Sequence, residues 1–215
     1  MTESIFEYGD KEIRYLKSKD KKLAAVIDRL GHIERKIDGD LFASVVHHIV
    51  GQQISVKAQE TLWRRMKEGL GIINADTLLA AGRERVKSFG MAYRKADYIL
   101  DFAAKVKSGE FDIEAVAAMD DREAIATLTG LKGIGVWTAE MILLFSLGRK
   151  DVLSFGDLGI IRGIRMLYRH REVNRVRFER YRRRFSPYGS VAAVYLWAVS
   201  GGAIPELTDP AAGDR

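Results

Sequence analysis

Few residues in this 215-residue chain have types and spacing that could do chemistry. The most informative stretch is LKGIGVWTA at 131–139, where Gly133 and Gly135 flank Ile134. Two glycines at that spacing allow a tight turn whose backbone can approach another molecule closely. Amides of the turn and of the following helix could then point at a phosphate oxygen, with Ile134 anchoring the turn in the core. Alone, the same pattern serves a plain helix–helix turn, and no strand precedes it as a nucleotide-binding loop requires. A second feature is electrostatic. Residues 162–184 hold ten arginines against Glu172 and Glu179, so this stretch exceeds the +6 net charge of the whole chain. Concentrated positive charge suits a polyanion such as nucleic acid, although a charge run by itself also marks a solvated helix face. Asp157 stands just before an apolar helical pattern, where an aspartate is a preferred N-cap. His47 and His48 lack companion ligands at metal spacing, and the absence of cysteine excludes disulfides, thiolate zinc sites and cysteine-ligated iron–sulfur clusters.

The elements that must position these residues are helical. Apolar spacing of three and four recurs, strand signals are poor, and no proline precedes Pro187. Leu23, Val26, Ile27 and Leu30 mark a first helix; Leu41 to Val50 mark a second, ending near Gly51. Ser55 can cap a third, through Leu62, Trp63 and Met66 to Gly69–Gly71. Asn74 or Asp76 can cap a short helix before Gly82, and another short one ends at Gly90. Tyr93–Lys107 reads as a long amphipathic helix closed by Gly109, and Asp120 with Glu123 as a capping box for a helix reaching Thr129. Thr138–Leu147, Leu158–Tyr168, Asn174–Arg184 and Ser190–Val199 follow. About ten short helices predict an all-α protein, with residues 205–215 as a polar, frayed tail. At 47% apolar content the chain can bury a core, and no apolar run approaches the roughly 20 residues of a membrane span. The charged N-terminus lacks a signal-peptide core, which predicts an intracellular protein.

The stretch LTGLKGIGVWTAEMILLFSLGRKDVLSFGDLGI resembles the helix-hairpin-helix superfamily of DNA glycosylases, in which an aspartate follows the hairpin by about two dozen residues. Three further segments match in order: GQQIS at 51–55, FGMAYRKADYI at 89–99 and SPYGSVAAVYLWAVS at 186–200. The resemblance covers roughly residues 20–204 and is strongest to the 3-methyladenine DNA glycosylase II branch. It implies two helical lobes, about 42–150 and 1–41 plus 151–204, with the hairpin at 131–136 and the active site in the cleft between lobes.

The resemblance assigns catalysis to Asp157. A carboxylate held near the anomeric carbon stabilises the positive charge that develops as the bond to the base breaks, and can orient or deprotonate water. Trp137 takes the hairpin position where bifunctional members carry a Schiff-base lysine, and Lys132 does not match it, which implies a monofunctional enzyme. Trp137 and Trp197 would line the base pocket, where an indole face attracts a cationic alkylated base. For Trp197 and Tyr195, in an apolar helix, core packing is the alternative. Met141 would also line the pocket. Gln53 is the candidate wedge for the gap left by a flipped nucleotide. Gln52, Ser55, Gly133, Ile134, Gly135, Thr138, Arg162 and Arg165 are the other expected DNA contacts. Phe155–Gly156 departs from relatives that carry a second aspartate and a nearby proline, which puts loop geometry and substrate range in question.

The expected partner is double-stranded DNA with alkylated bases, acted on by a monomer with no membrane. No cofactor is expected beyond a monovalent cation at the hairpin backbone. Two alternatives remain open: the same fold acting on ethenoadenine, hypoxanthine, uracil or an oxidised purine, and a non-catalytic protein that uses the hairpin only as a phosphate clamp.

Overall fold

The computed structural model describes residues 4–211 and contains twelve helices among them. It resolves into two compact units, one of Met1–Ile37 with Gly148–Arg215 and the other of Asp38–Leu147. These boundaries lie a few residues from the expected ones. Asp38 donates its amide to the carbonyl of Phe145 at 2.6 Å, which ties entry to exit of the second unit. Lys150, beyond that exit, pairs instead with Glu12 of the first unit at 2.8 Å.

In the Asp38–Leu147 unit the expected helices are present as α3 (Leu41–Gly51), α4 (Val56–Leu70), α5 (Ala75–Ser88), α6 (Tyr93–Ser108), α8 (Asp121–Thr129) and α9 (Val136–Phe145), with α7 (Ile113–Ala118) added. Caps set most of their starts: Asp40, Ser55, Asn74, Asp112 and Asp120 each accept an amide from the first helical turn. The two short helices expected around Gly82 run on as α5, broken where Gly82 adopts φ +70°. A six-residue helix such as α7 is too short to show a period, and only Ile113 and Val116 in it are buried. Helix α3 packs against α4, α6, α7 and α9, burying Val45, Val46, Ile49 and Val50 completely.

The other unit opens with a two-residue antiparallel pairing of β1 (Ser4–Ile5) with β2 (Lys36–Ile37), too short to leave a pattern in sequence. Between these strands lie α1 (Asp10–Lys19) and α2 (Lys21–Leu30). Helix α1 was hidden by composition: DKEIRYLKSK buries only Glu12 and Leu16, too narrow a stripe to read. Helices α10 (Leu158–Tyr168), α11 (Arg175–Phe185) and α12 (Gly189–Ser200) complete the unit. Helix α12 is its centre, apolar on nearly every face, with all of Gly189–Leu196 buried. Tyr195 is fully buried there and donates its hydroxyl to the Gly31 carbonyl at 3.0 Å, so core packing is its role.

The frayed tail is corrected for residues 205–211. Asp209 accepts two bonds from the Arg165 guanidinium, at 2.5 and 3.0 Å, and its side chain is only 8% exposed. Leu207 bonds back to Ile204 and packs on the core. A forked guanidinium meeting a carboxylate is strong enough to dock a short polar segment. Residues 212–215 lie outside the described part.

Candidate active site

The site residues fall in both units. In the first unit Asp157 caps α10, its Oδ1 accepting the Ile160 amide at 2.8 Å. The same oxygen accepts the indole N–H of Trp197 from α12 at 3.0 Å. The residue is 8% exposed, so a carboxylate that forms a structural cap also sits in a defined, largely dry setting. The cap and the catalytic assignment are thus compatible on one side chain.

The loop before Asp157 is clamped to the start of α12. Ser190 accepts the Val152 amide at 2.9 Å and donates to the Arg149 carbonyl at 2.6 Å. Asp151 accepts from the Gly189 amide at 3.0 Å and the Ser186 hydroxyl at 2.6 Å. These partners lie in the SPYGSV segment. Sequence reasoning recognised that segment as a match without finding what it does. It fixes the strand of chain that presents the aspartate.

Two glycines of α10 let α12 come close. A Cβ at Gly163 would overlap the Leu196 carbonyl, and one at Gly159 would stand 2.9 Å from Trp197 Cδ1 and 3.2 Å from Asp157 Oδ1. Neither glycine was singled out from sequence, although their spacing of four places both on one helix face. Across the Trp197 ring lies the guanidinium of Arg35, 5.4 Å from the centroid. Arg35 is placed by the ribbon, its carbonyl accepting the Phe6 amide at 2.8 Å. The expectation that Trp197 stacks on a cationic base therefore meets a different geometry: its N–H is committed to Asp157, and one face carries the protein's own cation.

In the second unit the hairpin runs from Leu131 to Gly135. The Ile134 amide closes it on the Leu131 carbonyl at 3.1 Å, and the Ile134 side chain is buried as an anchor rather than offered to a ligand. Gly133 has φ +84°, and a Cβ there would strike the Tyr98 ring, so only glycine fits. Gly135, exposed and without a side chain to cap with, begins α9. Thr138 is buried at 6%, so only its backbone in that first turn could serve a phosphate. Trp137 presents its ring to solvent at 43% exposure, whereas Met141, one turn on, is 2% exposed and offers no surface to a base. Spacing of four puts both on one face of α9, and they differ in depth: Trp137 stands in the exposed first turn, and Met141 lies a turn further on in the buried part of the helix.

The GQQIS segment joins α3 to α4 and divides its labour. Gly51 leaves room for the Gln59 amide, which donates to the His47 carbonyl at 3.1 Å. Gln52, an expected DNA contact, instead donates to the Gly133 carbonyl at 2.6 Å and braces the hairpin. Gln53 is exposed with φ +57°, a left-handed conformation uncommon outside glycine. Ser55 is exposed and caps α4 through the Ala58 amide at 3.3 Å. Of the two expected phosphate arginines, Arg165 is engaged with Asp209; Arg162 stands 3.7 Å from the same carboxylate with 53% of its side chain exposed.

Among the described residues no group of three or more acidic, histidine or cysteine side chains is placed to hold a metal. His48 has its pKa lowered to about 4 by burial and is held neutral. Among the described residues no helix is long and apolar enough to cross a membrane.

Known proteins share this architecture. A curated DNA-3-methyladenine glycosylase 1 of Schizosaccharomyces pombe is 30% identical over 167 residues, covering 74% of this chain and 72% of its own. A solved DNA-3-methyladenine glycosidase of Bacillus halodurans superposes with a TM-score of 0.83 at 33% identity, over 94% of this chain and 95% of that one. The S. pombe 3-methyladenine DNA glycosylase solved with abasic DNA gives a TM-score of 0.80 at 25% identity, over 93% and 100% of the two chains. Residues 46–187, which include GQQIS, the hairpin and Asp157, match the family described as HhH-GPD superfamily base excision DNA repair protein, and this chain belongs to that family.

Proposed function

We propose that this chain is a monofunctional DNA N-glycosylase that flips alkylated purines such as 3-methyladenine out of the duplex and hydrolyses their glycosidic bond, leaving an abasic site. The observation that carries the reading is the Asp157 carboxylate, 8% exposed and fixed by two N–H donors, in a chain similar over nearly its full length to a 3-methyladenine glycosidase. As the bond breaks, the sugar gains oxocarbenium character, and a fixed anion in a low-dielectric setting stabilises that charge more than a solvated one would. The same carboxylate can orient the attacking water and take its proton. A base alkylated at N3 or N7 already carries positive charge and leaves without a strong general acid. An exposed indole such as Trp137 offers its face to that cation.

Lys132 supports the monofunctional assignment. Its ammonium bonds Asp101 at 2.6 Å, and that carboxylate raises its pKa, so it is held in the non-nucleophilic form. Gln53 is the proposed wedge, presented at the apex of its turn by the left-handed backbone. The DNA backbone would be gripped by amides at Gly133, Gly135 and the first turn of α9. A monovalent cation there would share the Leu131 and Gly133 carbonyls with the donors they already accept.

The test uses duplexes carrying single defined lesions, with the parent chain and Asp157→Asn. Release of alkylated base by the parent, with a rate at least about a thousandfold lower in the variant, is the expected result for loss of the main electrostatic stabiliser. Equal release would remove Asp157 from the mechanism. Binding with no release of any lesion would leave the hairpin as a phosphate clamp only.

A further inference from the structure

The pairing of Asp157 with Trp197 rests on three features that no simple core contact requires. The indole N–H donates to Oδ1 at 3.0 Å, the oxygen that also accepts the α10 amide. Gly159, in the first turn of α10, leaves the space in which the indole lies, since a Cβ there would stand 2.9 Å from Cδ1 and 3.3 Å from Nε1. Arg35 then covers a face of the same ring at 5.4 Å. A cation over an indole draws on the ring quadrupole and holds the ring in place; it also leaves that face unsuited to a second cation.

We propose that Trp197 is a positioning residue for the Asp157 carboxylate, with Gly159 as its obligatory spacer and Arg35 as its clamp. Two donors on one oxygen hold the carboxylate rotamer and turn the plane of the group, so the anion is in place before the sugar becomes charged. Pre-organisation of this kind acts on the chemical step and not on the affinity for DNA. This inference rests on the catalytic role proposed above for Asp157.

The chain has three tryptophans, so a 15N-labelled full-length sample gives three indole N–H resonances, and Trp197→Phe identifies one by its loss. That resonance should move upfield in Asp157→Asn, where the acceptor loses its charge, while the Trp63 resonance stays. In single-turnover assays Trp197→Phe, which keeps an aromatic ring and removes the N–H donor together with part of the indole, should slow base release roughly ten- to hundredfold, the scale of one hydrogen bond to a charged group. Affinity for the lesion duplex and preference among lesions should stay within about twofold, as for an interaction that matters only in the transition state. Gly159→Ala should produce a similar slowing alone and add nothing in the Trp197→Phe background. A Trp197→Phe rate matching the parent, losses that multiply in the double variant, or an indole resonance indifferent to Asp157→Asn would each overturn the proposal. If the parent releases no base, the glycosylase reading fails and the resonance arm still decides whether Trp197 and Asp157 are coupled.

Discussion

The two side chains proposed to carry the reaction, Asp157 and Trp137, divide along lines of charge and exposure. Asp157 is buried and fixed, which suits a group that must be ionised and in place when the sugar becomes cationic. Trp137 is exposed at 43%, which suits a group that must receive a base from solvent. Trp137→Ala should therefore raise KM for an alkylated duplex and lower kcat/KM by about ten- to thirtyfold, the worth of a desolvated cation–π contact, with little change in thermal stability. Measurement of kcat/KM alongside the melting temperature separates that outcome from a folding defect. Strand scission offers a second check at this scale. With tryptophan at the hairpin and Lys132 held as an ammonium by Asp101, reaction products should show no nick until alkali or heat is applied.

At the scale of elements, the arginine-rich helix and the tail partition the basic stretch between structure and ligand. Helix α11 turns Phe178, Tyr181 and Phe185 inward, which forces its arginines outward. Arg175 and Arg182 flank Glu179, and Arg184 pairs with Asp20 at 2.6 Å. No carboxylate lies within ion-pair distance of Arg180 or Arg183 among the described residues, and both are exposed. If these two meet phosphates, the paired substitution Arg180→Ala with Arg183→Ala reduces the slope of log K against log salt by about two, while kcat at saturation is unchanged. An unchanged slope would return α11 to the status of a solvated face. The tail makes the opposite prediction. Asp209→Ala strands the Arg165 guanidinium and should cost about 1–3 kcal/mol of stability by denaturant unfolding, and Arg165→Ala in that background should add little.

For the whole molecule, burial of ionisable groups gives a pH signature. The folded state holds His48 at a pKa of about 4, against 6.5 for the ordinary side chain, so the unfolded chain binds more protons between those values. Stability from this group is complete above pH 6.5 and falls as pH drops toward 4, by about 3 kcal/mol at most. Glu12 acts lower on the scale. Its hydrogen bond from Lys150 holds it at about 2, so its contribution is present above 4.5 and is lost as pH falls toward 2. Equilibrium unfolding across pH 4–7 should show the first loss, and His48→Phe should flatten it. A parent curve already flat in that window would refute the assignment to His48.

What the sequence determined by itself was local. Apolar period, caps at Ser55, Asn74 and Asp120, and glycine stops placed most helices, because those signals act within a few residues of chain. The hairpin glycines and Asp157 were legible for the same reason, with resemblance supplying the chemistry that spacing alone left open. Missed elements had narrow or short apolar faces: α1 is charged almost throughout, and α7 makes fewer than two turns. Only the tertiary structure decided what meets across the chain. It turned Gln52 from a DNA contact into a brace for Gly133, took Arg165 for Asp209, sank Met141 into the core, and set Trp197 and Arg35 around Asp157. The pairs among these join partners from 40 to more than 150 residues apart, a relation that propensity and periodicity do not encode. For Asp157 and Trp197 it arises when α12 packs on the glycine face of α10.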